Sequence, residues 1–104
     1  MSPLLRIKRC CLTERVIFTA KADLERVADA LTREDVVEAI VNAPAVYKTL
    51  RSTAPGRRKG DKLYVIVGMT HDGILVYTKG ALRQFEGDEH FYLLVSSKRS
   101  VEDP

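Results

Sequence analysis

The side chains best equipped for chemistry crowd into the middle and end of the chain. Between residues 48 and 62 stand Lys48, Arg51, Arg57, Arg58, Lys59 and Lys62 against Asp61 alone, a local charge of +5 in a chain of net charge +3. Residues 1–43, by contrast, carry seven cations and seven anions. A cationic patch of this kind attracts phosphate backbones; a solvated basic loop is the competing reading. Metal-free RNA cleavage uses the 2′-OH as nucleophile. It needs a base for that proton, cations for the charge that builds on phosphate, and an acid for the leaving 5′ oxygen. Lys48, Lys79, Arg57 and Arg58 could supply the cations, and Tyr64 could orient the 2′-OH or protonate the leaving group. With an ordinary pKa near 10, a tyrosine is a poor base unless cations lower it. Histidine is the side-chain type suited to proton transfer at neutral pH, but the place of His71 beside Asp72-Gly73 marks it as a turn residue. The two histidines lack the spacing of a metal pair, so no metal and no cofactor is assigned. Cys10 and Cys11 are adjacent, cannot staple distant parts of a fold, and read as reduced, partly buried thiols.

What must position these groups is a β-hairpin over residues 62–79. Two runs rich in β-branched and aromatic residues flank Asp72-Gly73, a pair suited to a two-residue turn. That loop sets His71 opposite Ile74, Met69 opposite Val76, Val67 opposite Thr78 and Ile66 opposite Lys79. Alternation then sends Leu63, Val65, Val67, Met69, Ile74 and Val76 to a core face. Tyr64, Ile66, Gly68, Leu75, Tyr77 and Lys79 go to an open face, where Lys79 lies diagonal to Tyr64, within reach of a long side chain. Such a face could be a working surface or simply the half-solvated side of a sheet. Tyr77 and Tyr92 on it could stack on bases or serve packing.

The rest of the chain supplies the cover. A chain of 104 residues is expected to form one domain, 1–104, with 1–14 as a lead-in and 99–104 as a tail. Residues 15–19 read as a short strand or extended lead-in. Thr19 or Asp23 caps a helix whose apolar stripe is Leu24, Val27, Ala28 and Leu31. Thr32 and Asp35 make a capping-box-like start for a second helix with the stripe Val36, Val37, Ile40 and Val41, ended by Pro44. Residues 45–51 read as a strand, 52–61 as a basic loop, 80–89 as a longer turn and 90–98 as the last strand. The expected fold is therefore α+β: two N-terminal helices packed on one face of a four-stranded, mostly antiparallel sheet. No apolar run is long enough to span a bilayer and no signal-peptide segment precedes the basic N-terminus, so a cytoplasmic protein is expected.

Three pieces carry a resemblance. A helix ends and runs into Tyr47-Lys48-Thr49-Leu50; Gly60-Asp61 precedes Tyr64; and Tyr64 is followed by His71-Asp72, Leu75-Val76 and Lys79. Over residues 15–80 this order resembles the RelE superfamily of endoribonuclease toxins, and most of all the MqsR-type toxins. The resemblance implies a toxin of a toxin–antitoxin pair that cleaves mRNA without metal, with Lys48, Tyr64 and Lys79 at catalytic positions. Arg51, Arg57, Arg58, Lys59, Tyr77 and Lys98 would bind RNA, and an antitoxin protein would cover the basic face. In place of the loop Gln that the family uses, this chain has Arg57, Arg58 and Lys59. A binding module on the same fold, holding RNA or an acidic protein without cleaving, is the alternative; it predicts salt-sensitive binding with intact RNA.

Overall fold

A computed structural model gives the fold and describes residues 1–51, 62–84 and 90–100. Among these residues the chain runs α1 (Pro3–Leu12), β1 (Val16–Phe18), α2 (Ala20–Ala28), α3 (Arg33–Asn42), β2 (Lys48–Arg51), β3 (Lys62–Met69), β4 (Leu75–Gln84) and β5 (His90–Arg99). The strands form one mixed sheet in the order β1-β5-β4-β3-β2. β2 to β5 pair antiparallel in succession, and β1 lies parallel to β5. The α+β class stands, but the expectation of two helices and four strands gives way to three and five. No helix among the described residues is long and apolar enough to cross a membrane.

The third helix is α1, in the segment expected as a lead-in. Ser2 Oγ accepts from Leu5 N–H at 3.2 Å, and Pro3 occupies the first turn, where its missing N–H leaves nothing unpaired. Ile7, Cys10 and Cys11 face the core. Lys8 Nζ donates to Ala43 O at 2.6 Å, tying α1 to the end of α3. The fifth strand, β1, is the RVIFT segment, held beside β5 with Val16 opposite Tyr92 and Phe18 opposite Leu94.

Two helix starts and one helix end follow the sequence. Thr19 caps α2, accepting from Ala22 N–H. Thr32 and Asp35 close the reciprocal capping box of α3 at 3.0 and 2.9 Å. Ala43, before Pro44, is extended and stops that helix.

The stripe expected to bury α2 does not. Leu24 and Val27 are 72% and 63% exposed. α2 is instead fastened by its polar side to the end of β5. Ser97 Oγ donates to Ala22 O at 2.8 Å, Ser96 Oγ and Ser97 N–H to Glu25 Oε1, and Arg99 N–H to Asp29 Oδ2. The cause is the shortness of β1, whose pairing stops at Leu94. The N–H groups of Ser97 and Arg99 would otherwise be unpaired strand edge, and the carboxylates of Glu25 and Asp29 take the place of a neighbouring strand.

The hairpin corrects the expected register. Its loop has three residues, His71-Asp72-Gly73, rather than two. Thr70 N–H donates to Ile74 O at 2.9 Å, Gly73 N–H to Thr70 O at 3.0 Å, and Ile74 N–H to Thr70 Oγ1 at 3.1 Å. Within this loop only Gly73 takes positive φ, +83°, as a type I turn followed by one left-handed residue requires. Met69 therefore faces Leu75, Val67 faces Tyr77, Val65 faces Lys79 and Tyr64 faces Gly80. One position of slip carries β3 to the other side of the sheet. Gly73→Ala should lower stability by about 1 kcal/mol, because an L side chain resists that conformation; a urea titration checks it.

The helices cover the side that carries Tyr64, Ile66, Gly68, Val76, Tyr92 and Leu94, packed with residues of α1, α2 and α3. Tyr92, expected on the open face, is wholly buried here, and its hydroxyl donates to Tyr64 O at 3.4 Å. Burial pushes its phenol far above the ordinary range. β4 does not end at Lys79, with a turn from Gly80, but continues to Gln84. Pairing passes from Lys79–Ser96 to Gly80–Leu94, leaving Val95 as a bulge.

Both cysteines are unpaired and buried. Burial pushes the Cys11 thiol up to about 12, and raises Cys10 as well. Thiolates are the reactive form, so neither should react with Ellman's reagent at pH 8 until the chain unfolds. A folded-state pKa above the ordinary value of 9.0 also fixes a sign. The stability tied to Cys11 is full below about pH 9 and lost as pH rises toward 12. Cys11→Ala should flatten that alkaline slope in a pH series of urea midpoints.

Candidate nucleic-acid interface

The helix-free face of the sheet carries Lys48, Leu63, Val65, Val67, Tyr77, Lys79 and Lys98, all on one parity of the register. Its middle is apolar: Leu63, Ala81 and Val95 form a small buried cluster with Leu93 against it. Cations flank that middle. Lys48 on β2 and Lys79 on β4 are both direct cross-strand neighbours of Val65. Two strand spacings, about 10 Å, separate their backbones. Lys98 stands opposite Tyr77, with Nζ 5.5 Å from the ring centroid. Lys48 Nζ lies 5.9 Å from the ring of Tyr47, which is itself exposed. The Val95 bulge restores Lys98 to the side of Leu93 and Ala81; without the extra residue it would project toward the helices.

The diagonal between Tyr64 and Lys79 does not form. Tyr64 packs against the helix-side core, and Lys79 is on the other face. Arg51, opposite Lys62 on β2, shares the parity of Tyr64 rather than that of Lys48. Arg57, Arg58 and Lys59 lie outside the described residues. The structure thus brings together Lys48, Tyr77, Lys79 and Lys98 and separates Tyr64 and Arg51 from them. Tyr77 and Lys79 share the helix-free face as expected, two positions apart on β4, a placement that period-two alternation gives whatever the turn does. What the sequence reading missed is that Lys48, across Val65, and not Tyr64, is their neighbour there.

Tyr77 is half-buried, and desolvation, aided by the charge of Glu25, raises its phenol above the ordinary value. It stays protonated at neutral pH, a hydrogen-bond donor rather than a base. His71 is remote from this face: its N–H donates to Glu38 Oε1 at 2.6 Å, and its ring Nε2 is 3.8 Å from Glu38 Oε2. Among the described residues no group of three His, Cys, Asp or Glu is placed to hold a metal ion.

Fold and face together define an α+β protein whose five-stranded mixed sheet is helix-covered on one side and carries Lys48, Lys79 and the Lys98–Tyr77 couple on the other. Comparison with known proteins adds no relative: no family model, no curated protein and no solved structure matches the chain.

Proposed function

We propose that this chain binds single-stranded RNA on the helix-free face of its sheet. The observation that carries the reading is the row Lys48–Val65–Lys79, continued by Lys98 over Tyr77. Ammonium groups at this spacing suit successive phosphates, and Tyr77 offers a ring face on which a base can stack. Rigid strands hold both kinds of group without ordering a loop on binding. The test is retention of a fluorescent single-stranded RNA at rising salt. Affinity should fall linearly on a log–log plot, and duplex RNA of the same length should bind more weakly, since its bases are closed to stacking.

A second reading rests on Tyr77. In a RelE/MqsR-like toxin held silent by an antitoxin, cleavage would need cations near the phosphate, a donor for the leaving oxygen, and an acceptor for the 2′-OH proton, a part that falls to solvent water on this face. Lys48 and Lys79 suit the first role. Tyr77, kept protonated by its surroundings, suits the second in place of Tyr64. RNA cut in the presence of EDTA by the native chain and left whole by Tyr77→Phe would support this reading, and intact RNA after prolonged incubation would leave binding alone.

A further inference from the structure

A groove of about 570 Å³ opens on the helix side, away from the lysine face, between α1, β1 and α3. Its floor is apolar: Cys11, Val16, Phe18, Val37 and Val41. Two of these, Val37 and Val41, belong to the stripe of α3 whose other members, Val36 and Ile40, are fully buried in the core. Val37 and Val41 are only partly buried against that core, so part of their surface still faces the groove. The rim is acidic, with Glu14, Glu34 and Glu38. Its one arginine, Arg33, is already taken: its guanidinium bonds Asp23 at 2.7 Å and lies over Phe18 at 5.2 Å. Glu14 and Glu34 have no hydrogen-bond or ion-pair partner among the described residues.

The complement of this groove is present on the same chain. α1 has no acidic residue, and its outer side shows Leu5 and Leu12, 58% and 72% exposed, with Arg6 and Arg9 between them. Leu5, Arg9 and Leu12 fall at i, i+4 and i+7, one stripe of a helix. Neither guanidinium has an ion-pair partner among the described residues. Leu5 to Leu12 and Glu34 to Val41 each span seven positions, about 10 Å of helix, so the two stripes match in length. A chain cannot seat its own α1 there, because that helix forms one wall of the groove.

We propose that the chain self-associates, with the outer side of α1 from one copy seated in the groove of another. Leu5 and Leu12 cover the valines and Phe18, and Arg6 and Arg9 meet the unpaired glutamates. The contact does not depend on RNA binding and leaves the lysine face uncovered.

Sedimentation equilibrium of the full chain over a concentration series tests this. The expected mass rises from 11.7 kDa to twice that value. Arg6→Glu/Arg9→Glu and, separately, Glu14→Lys/Glu34→Lys should each stay at the monomer mass. All four positions are exposed, so circular dichroism and melting should remain those of the native chain. Mixed one to one, the two variants should regain the doubled mass, since each acidic α1 then meets a basic groove and each native α1 a native groove. A native chain that stays monomeric, association indifferent to both charge reversals, or a mixture that stays monomeric overturns the proposal.

Discussion

Gly68→Ala should cost about 3 kcal/mol or more of stability, the largest effect expected from a single methyl group in this chain. A Cβ built on Gly68 would sit 1.8 Å from Ala39 O and 2.7 Å from Ala39 C. Those are backbone atoms in the middle of α3, so no rotamer relieves the contact. α3 must lift from the sheet, taking Val36 and Ile40 partly out of the core. Against a typical domain stability of roughly 5–15 kcal/mol, that loss is a large share of the whole. Urea midpoints compared at constant m-value measure it. Gly73→Ala is the internal contrast, since nothing lies within 4 Å of its added methyl and only its backbone angle resists. Truncating the neighbour, Ala39→Gly, should not rescue Gly68→Ala, because the obstructing atoms are the carbonyl and not the side chain. A Gly68→Ala protein that melts with the native one would show that β3 does not turn this edge toward α3. The register on which the lysine face depends would fall with it.

That register marks where the sequence stopped being readable. Asp72-Gly73 announces a turn, but the pair suits both a two-residue loop and the last two positions of a three-residue loop. The choice is made by Thr70, whose hydroxyl accepts from Ile74 N–H and whose backbone pairs with Ile74. β3 offers little resistance to either outcome. Leu63, Val65 and Val67 on one parity are as apolar as Ile66 on the other, so hydrophobic pattern alone could not fix the side. What does fix it is space: at this point of β3 only a glycine, Gly68, lets the backbone of α3 approach. Local chemistry was more legible. The Thr32–Asp35 capping box and the Pro44 stop fixed α3 from neighbouring residues alone. α1 carried its own signal in Ser2-Pro3, a cap followed by a first-turn proline, obscured by its basic outer side. α2 misled for a tertiary reason. Its polar residues Glu25 and Asp29 were needed by the unpaired end of β5, and that need is invisible until β1 proves to be only three residues long.

The Lys48→Glu/Lys79→Glu variant should lose most RNA affinity while keeping its fold. Both side chains project from the helix-free face beside Val65, outside the helix-side core, so circular dichroism should show the native secondary structure. Each lysine that neutralises a phosphate releases condensed counterions, with a salt slope of about −0.7 per contact on single strands. Losing two contacts should flatten the log–log salt plot by about 1.4. The two new carboxylates add repulsion, so affinity at low salt should drop on the order of 100-fold or more, the equivalent of nearly 3 kcal/mol. Tyr64→Phe separates this face from the one first expected to act. Tyr64 packs among helix-side residues, so removing its hydroxyl should leave both affinity and slope at native values. Tyr77→Ala should weaken binding without changing the slope, because a stacking surface is lost and no charge. Native binding by the double-lysine variant would remove the helix-free face from the mechanism. A salt slope that changes with Tyr64→Phe would place the contact on the helix-covered side, where α1 and α3 leave no row of lysines to make it.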